Sequence, residues 1–387
     1  MSSVLPGIDV LLQDRVDVVA GQRVGIVTNQ TGVTATLEST VDRLVRHPDV
    51  RVTALFCGEH GLRGDIPAGE HVAGARDPAT GLPVYSLYGE TRKPTPAMLH
   101  DVDVLVFDMQ DAGARFYTYT WTLALCMQAA LENGRRLVVL DRPNPIGGAE
   151  VEGDVVHPGY ESFVGLYPLA TRHGLTHGEI ARWLNGRQAT ACDLTVIPMN
   201  GWRRSMWYDE TGLPFVPPSP NANCLEMLTL YPGTCNFEGT NLSEGRGTTT
   251  PLQMFGAPWL NETAVIAELQ TRNLPGVRFR PVYFTPWAAK HAGQRCRGVQ
   301  IHVTDRRAVR PVALGAHLLD VCKRLHADQF QWVTWGTDRL RTIDRITGSD
   351  RLGKVLDAGE PVAAVLAEWE VAARAFAGET EEFRLYR

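Results

Sequence analysis

The chain has 387 residues, of which 44% are hydrophobic and 21% are charged, and its formal net charge is -5. These values are typical of a folded globular protein with room for two hydrophobic cores, so two domains are expected. The small negative charge disfavours nucleic acid as a partner, because binding to phosphates requires a basic surface.

The cysteines and the lengths of the apolar runs indicate the cellular compartment of the protein. The seven cysteines are widely spaced and form no Cys-x-x-Cys pair, which favours free thiols in a reducing compartment over disulfides or a zinc site. The first residues lack the basic segment and apolar core of a signal peptide. No apolar run reaches the ~18 residues of a membrane span. We therefore expect a cytoplasmic protein without a membrane span.

The first half of the chain alternates short buried strands with helices. Strands are predicted at 23–28, 50–57, 84–87, 102–107, 136–141 and 194–198, and helices at 7–14, 37–45, 121–132 and 173–184. This alternation predicts an α/β fold with a Rossmann-like, doubly wound parallel sheet. The first strand runs into Asn29-Gln-Thr-Gly32 and lacks the Gly-x-Gly-x-x-Gly dinucleotide fingerprint, so no cofactor is expected.

Polar side chains follow four of these strands, namely Asn29, Glu59, Asp108 and Asp141. The carboxyl ends of parallel strands meet at one edge of an open sheet, where ligands bind. The richest segment is 108–119, Asp-Met-Gln-Asp-Ala-Gly-Ala-Arg-Phe-Tyr-Thr-Tyr, which we predict to form the floor of an active site. We expect the first strand to lie between those that carry Glu59 and Asp108, which opens a crevice and separates the two Cα atoms by ~10 Å.

A proline-rich segment, 217–223, is the best candidate for a linker. We therefore place a Rossmann-like domain over 1–222 and a smaller α+β domain over 223–387. The second domain is predicted to contain strands near 278–285 and 297–303, and helices near 261–272, 311–326 and 360–376. Its glycine-rich stretch, 237–248, carries several polar side chains, and the glycines permit positive φ or close backbone approach.

Five segments of the chain resemble the bacterial exo-β-N-acetylmuramidase (NamZ-type) family. They are Gly58-Glu-His-Gly61, the segment 108–119, Leu140-Asp-Arg-Pro-Asn-Pro145, Pro218-Ser-Pro-Asn221, and the stretch from Tyr231-Pro-Gly to Gly245-Arg-Gly-Thr248. The resemblance implies a Rossmann-like domain joined to a smaller one, with the active site in the cleft between them. It also implies an exo-acting glycoside hydrolase that releases N-acetylmuramic acid from the non-reducing end of peptidoglycan fragments, with muropeptides or N-acetylmuramic acid–N-acetylglucosamine fragments as substrates.

Glycoside hydrolysis usually requires a pair of carboxyl groups, for which Glu59, Asp108 and Asp111 are the candidates. We expect Glu59 to be the general acid, and we expect one of the two aspartates to be catalytic and the other to hold Arg115 in an ion pair. A structural loop carboxylate remains the alternative for Glu59. The 2-acetamido group of the sugar could also attack the anomeric carbon itself, in which case one acid and one orienting carboxylate suffice.

Other polar side chains are candidates for substrate binding. Arg115 and Arg246 offer planar guanidinium forks to the lactyl carboxylate, and we place Arg115 first. The remaining candidates are Asn29, His60, Gln110, Tyr117, Tyr119, Asp141, Asn144, Glu238, Asn241 and Glu244. Structural roles stay open for several of them: an Asx-turn for Asp141 and Asn144, and a core position for one of the two tyrosines.

Two other functions compete with a glycosidase. A nicotinamide-dependent oxidoreductase is disfavoured by the missing fingerprint, and a non-catalytic amino-sugar-binding protein is disfavoured by the density of ionisable groups in 108–119.

Two further motifs resemble known ligand sites but do not predict such sites here. Segment 348–354 resembles a phosphate-binding loop, but Val355 follows it where such a loop requires Ser or Thr. His173 and His177 are spaced like a metal-binding pair on a helix, but Gly174 lies between them, so no metal site is expected.

Overall fold

The structure is a computed structural model that describes residues 4–67, 69–335 and 340–387. Its helices are α1 Gly7–Asp14, α2 Thr40–Arg46, α3 Tyr119–Glu132, α4 His177–Gly186, α5 Leu225–Thr234, α6 Glu262–Thr271, α7 Pro311–Leu325, α8 Thr342–Thr347, α9 Arg351–Ala358 and α10 Ala363–Glu379. Its strands are β1 Arg23–Thr28, β2 Arg51–Cys57, β3 Ala75–Arg76, β4 Pro83–Ser86, β5 Val104–Asp108, β6 Arg136–Leu140, β7 Asp193–Ile197, β8 Met254–Ala257, β9 Val277–Phe284 and β10 Cys296–Val303. None of the described helices is long and apolar enough to cross a membrane.

The larger sheet has seven strands in the order β3-β4-β2-β1-β5-β6-β7. All neighbours are parallel except β3, which runs antiparallel to β4. β1 pairs with β2 on one side and with β5 on the other, and Thr28 lies opposite Asp108. The predicted α/β class and the predicted central position of β1 are therefore confirmed.

Helices cover both faces of this sheet because its strands are apolar on both sides. Ile26 of β1 faces α1 and α2, where it packs in a core with Leu11 and Leu44. The next residue, Val27, faces the opposite side and joins the core under α3 and α4, as the period-two alternation of a strand requires. The two layers hold the strand ends, and the loops that follow them, in fixed positions.

The second domain is built on a three-stranded antiparallel sheet in the order β8-β10-β9. Its core includes Phe237 and Phe255, whose rings stack with centroids 4.5 Å apart. Helix α5 was not predicted from the sequence, and Pro232 and Gly233 occupy its last turn. Gly233 allows α5 to approach α7 closely, because an added Cβ would collide with the backbone of Pro311. The smaller α+β domain after the proline-rich segment agrees with the expected fold class, while the boundary at 222/223 stays a prediction.

Candidate active site

A cavity of about 490 Å³ opens between the carboxyl edge of the large sheet and the second domain. Its walls from the first domain are Glu59, Gly69, Tyr88, Phe116, Thr118 and Val164. Its walls from the second domain are Tyr231, Cys235, Glu238, Glu244, Arg246, Ala289, Lys290, Trp335 and Ile346. This volume falls within the range of sites that enclose a small ligand.

Glu59 enters the cavity from the tight turn that follows β2. The turn contains two consecutive residues with positive φ, His60 at 72° and Gly61 at 76°. The His60 ring is buried and donates from Nδ1 to the carbonyl of Ile66 at 2.7 Å, so it closes the loop instead of facing the cavity. A non-glycine residue in this region costs on the order of 1–3 kcal/mol, and such strain clusters at functional sites.

The carboxylate of Glu59 accepts hydrogen bonds from neutral donors. The hydroxyl of Thr118 donates to Oε2 at 2.7 Å and the backbone N–H of Gly69 donates to Oε1 at 3.0 Å. Tyr88 stands beside it, and burial together with the charge of Glu59 raises the pKa of Tyr88 to about 12. Tyr88 is therefore a phenol at neutral pH and presents a hydrogen-bond donor to the cavity.

The opposite wall is a network of charged side chains from the glycine-rich stretch. Nη2 of Arg246 binds Oε1 of Glu238 at 2.5 Å, and its Nε lies 3.3 Å from Oε1 of Glu244. The ammonium of Lys290 binds Oε2 of Glu244 at 3.0 Å. Burial alone lowers the pKa of Arg246, but the charges of Glu238 and Glu244 outweigh this effect and raise it above its ordinary value. Arg246 is thus a permanent cation.

The local backbone explains how these charges converge. Gly245 and Gly247 adopt φ values of 79° and 74°, so the expected positive φ of this stretch is confirmed. Flanking Arg246, they turn its side chain back towards Glu238, which lies in the short 3₁₀ helix Cys235–Gly239. The cavity consequently holds one carboxyl group among neutral donors, Glu59, and two that are paired with the fixed cation Arg246, Glu238 and Glu244.

Asp108 does not line this cavity, so the structure does not support its candidacy as a catalytic carboxylate. Its side chain is 0% exposed and lies in an ion pair with Arg142, at 2.5 Å from Nε and 2.9 Å from Nη2. The hydroxyl of Thr40 also donates to it, at 2.5 Å. Asp108 therefore joins the end of β5 to the first residue of α2 and to the loop after β6.

Asp111 does not line the cavity either, so its candidacy as a catalytic carboxylate is likewise not supported by the structure. It is buried beside two histidines, with Nε2 of His173 at 3.2 Å and Nε2 of His177 at 3.8 Å. Burial favours a raised pKa for Asp111, but the two imidazoles outweigh it and lower the pKa below its usual value. The expected ion pair between an aspartate and Arg115 is replaced by these contacts.

Arg115 is fully buried and cannot reach a ligand in the cleft. Its Nη1 donates to the carbonyls of Asp154 at 2.5 Å and Leu169 at 2.9 Å, and its Nη2 donates to the carbonyl of Ile346 at 2.8 Å. Burial lowers its pKa to about 10. The structure therefore reverses the expected ranking of the two arginines, because only Arg246 lines the cavity.

The remaining candidates outside the cavity bind neighbouring parts of the chain. The amides of Gln110, Asn144 and Asn241 donate to the carbonyls of Pro143, Leu175 and Gln329. Asn29 accepts two hydrogen bonds from Thr31, and Asp141 accepts from Thr176, Gly178 and Tyr386. Tyr119 donates to the carbonyl of Pro218 at 2.8 Å and packs edge-on against Tyr117. The structure therefore does not support direct substrate contacts for these residues. A core position was expected for one of the two tyrosines, and both Tyr117 and Tyr119 are buried.

Several side chains of the cavity were not predicted from the sequence. Thr118 lies inside the segment 108–119, and Tyr88 follows β4 at the same sheet edge as Glu59. Their positions in the sequence could therefore have identified these two residues as candidates for the site. Lys290 and Trp335 come from loops of the second domain whose location depends on how that domain docks, and no motif marks them.

Comparison with known proteins identifies relatives along nearly the whole chain. Residues 24–226 match the family described as exo-beta-N-acetylmuramidase NamZ, N-terminal, and residues 229–386 match its C-terminal counterpart. The peptidoglycan beta-N-acetylmuramidase NamZ of Bacillus subtilis (strain 168) is 44% identical over 380 residues, which are 98% of this chain and 91% of that protein.

Crystal structures of two DUF1343 family proteins from Bacteroides fragilis NCTC 9343 share the fold. They cover 100% of this chain and 99% of their own, with TM-scores of 0.92 and 0.79 and sequence identities of 38% and 29%.

Proposed function

The chain belongs to the exo-β-N-acetylmuramidase NamZ family, and from this premise we propose that it releases N-acetylmuramic acid from the non-reducing end of peptidoglycan fragments. The substrates are muropeptides or fragments of the N-acetylmuramic acid–N-acetylglucosamine type. One observation on this chain carries the proposal: Glu59 and Glu238, from different domains, line the same cavity. A carboxyl pair on either side of the scissile bond is what glycoside hydrolysis uses.

In the proposed reaction Glu59 is the general acid. It gives its proton to the glycosidic oxygen as the bond to the anomeric carbon breaks, while the carbonyl oxygen of the 2-acetamido group attacks that carbon. Oε1 of Glu238 accepts a hydrogen bond from Arg246. Oε2 of Glu238 accepts a hydrogen bond from the acetamido N–H, and the negative charge of this carboxylate stabilises the positive charge that develops on the sugar. Glu59 then takes a proton from the water that opens the cyclic intermediate, which restores both carboxyl groups.

Arg246 is proposed to bind the lactyl carboxylate that distinguishes N-acetylmuramic acid from N-acetylglucosamine. Within the described ranges its Nη1 makes no hydrogen bond, whereas Nη2 and Nε are committed to the two glutamates. A charged hydrogen bond from Nη1 is worth roughly 1.5–3 kcal/mol.

The test is Glu59→Gln, which preserves shape and removes the proton. On the disaccharide N-acetylmuramyl-N-acetylglucosamine we expect kcat to fall at least about a hundredfold, with a much smaller loss on the 4-nitrophenyl glycoside, whose leaving group needs no protonation. Glu70→Gln, an exposed carboxylate of the following loop, is the matched control and should retain activity. Equal rates of wild type and Glu59→Gln on the disaccharide, with unchanged circular dichroism, would remove Glu59 from the mechanism.

A cytoplasmic location is proposed as well, on the state of the cysteines. All seven are free thiols, and six of them are buried, as is usual in a reducing compartment. Cell fractionation with an antibody to the native protein tests this location, and recovery outside the cytoplasm would refute it.

A further inference from the structure

Trp287 is exposed to an unusual degree for so large an apolar side chain. Its exposure is 81%, the highest value among the exposed large hydrophobic residues that the structure describes. Ala289 and Lys290, which follow it closely in the chain, line the active-site cavity. Because consecutive Cα atoms are ~3.8 Å apart, the Cα atom of Trp287 is within about 8 Å of Ala289. The backbone of Trp287 therefore adjoins the segment that lines the cavity, and its indole is exposed to solvent.

The loop that carries Trp287 is firmly anchored between β9 and β10. The backbone N–H of Trp287 donates to the carbonyl of Gly247 at 2.9 Å, and Nε2 of His291 contacts the carbonyl of Asn241 at 2.8 Å. Lys290 donates to the carbonyls of Phe237 and Leu242. Two residues of the loop, Ala289 at φ 65° and His291 at φ 58°, adopt a left-handed backbone. Such strain persists only where the surroundings impose it, and it is characteristic of ligand clamps.

We propose that Trp287 is a stacking platform for the sugar ring on the leaving-group side of the scissile bond, the N-acetylglucosamine residue that follows the released sugar. This inference rests on the proposed function, since exo-cleavage places the terminal sugar in the cavity and directs the rest of the chain out past the rim. The apolar face of a pyranose ring suits an indole, whose large rigid surface is a common anchor at binding surfaces. Trp335, which is 37% exposed, provides a second aromatic side chain on the cavity wall.

The experiment compares two substrates whose leaving groups both require protonation. The peptide-free disaccharide N-acetylmuramyl-N-acetylglucosamine has the second sugar ring that this proposal stacks on Trp287, whereas the methyl β-glycoside of N-acetylmuramic acid lacks that ring. We expect Trp287→Ala to lower the ratio of kcat/KM for the disaccharide to kcat/KM for the methyl glycoside about three- to tenfold. Trp287→Phe, which keeps a smaller aromatic face, should give an intermediate ratio.

Tyr283→Ala is the matched control. Tyr283 is 52% exposed on β9 of the same hairpin, bonds Glu262 through its hydroxyl, and is not part of the cavity wall. Its ratio should equal that of wild type. An unchanged ratio in Trp287→Ala would overturn this inference alone. Failure of the wild-type protein to release N-acetylmuramic acid from either substrate would overturn the proposed function and this inference with it.

Discussion

Arg246 illustrates how a single side chain acquires a role from its neighbours. Two carboxylates bind its guanidinium through Nη2 and Nε, and Nη1 makes no hydrogen bond to the residues that the structure describes. We predict that Arg246→Met lowers the preference for the muramic acid glycoside over the corresponding glucosaminide by roughly ten- to a hundredfold, the worth of one charge-assisted hydrogen bond. Activity on both substrates should also fall, because Glu238 loses its cationic partner and Glu244 retains only Lys290.

The control for this prediction is Lys290→Met, which removes another cation from the same wall. The ammonium of Lys290 is occupied by Phe237, Leu242 and Glu244, so the preference between the two sugars should persist. If both variants lost the preference for the muramic acid glycoside to the same extent, the net positive charge of this wall, and not a specific contact with Arg246, would recognise the lactyl group. Measuring kcat/KM for both glycosides with each variant decides between the two.

The residue-level chemistry was only partly predictable from the sequence. Glu59, Glu238, Glu244 and Arg246 were identified because glycines and strand ends mark their segments. Asp108, Asp111 and Arg115 occupy equally conspicuous positions, yet each is buried against a partner distant in sequence: Arg142, His173 and the carbonyl of Ile346. Sequence spacing does not reveal such partners, so it cannot separate a buried ion pair from a catalytic group.

Among the elements, the end of β6 is the place where pH should act on stability. Asp141 lies there under the N-terminus of α4, where burial raises its pKa to about 7 despite hydrogen bonds from Tyr386, Thr176 and Gly178. A raised native pKa means that the folded protein binds more protons than the unfolded chain between pH ~4 and ~7. The contribution of Asp141 to stability is therefore complete below pH ~4 and is lost as the pH rises through ~7.

We predict that the free energy of unfolding of wild type falls between pH 5 and pH 8 relative to Asp141→Asn, by on the order of a few kcal/mol. Urea denaturation of both proteins at the two pH values measures this difference. Asp14→Asn, at an exposed position at the end of α1, should follow wild type. Parallel pH profiles for wild type and Asp141→Asn would show that Asp141 does not titrate in this range.

The strands and helices of the first domain were predictable because β-branched apolar runs alternate with helical spacing. The predicted strand 23–28 matches β1, and the predicted strand 136–141 ends one residue after β6. The missed elements have physical explanations. α5 contains Pro232 and Gly233, which mimic a turn, and β3 has two residues. α8 and α9 are short and are stabilised by packing against the second core through Ile343 and Leu352, so their own sequences carry little helical signal.

At the level of the whole molecule, the two domains share a core. The cluster under α3 and α4 includes Met227 of α5, Ile346 of α8 and Phe376 of α10. Phe376 packs edge-on against Trp183 of α4, with ring centroids 5.5 Å apart. The segment after residue 222 thus completes the core of the segment before it. The sequence predicted two domains from length and a proline-rich segment, but it contains no sign that the last long helix returns to the first domain.

This shared core leads to a prediction about unfolding. Domains joined only by a linker melt separately, whereas domains with a common core lose stability together. We predict a single calorimetric transition for the full chain, and a fragment of residues 1–222 that exposes the surface covered by α10 and binds a hydrophobic dye. Phe376→Ala, which removes a buried aromatic side chain, should lower the free energy of unfolding by about 3–5 kcal/mol and keep the transition single. Two resolved transitions in the wild-type protein, or a fragment 1–222 that unfolds cooperatively without binding dye, would show that the first domain is stable without the second.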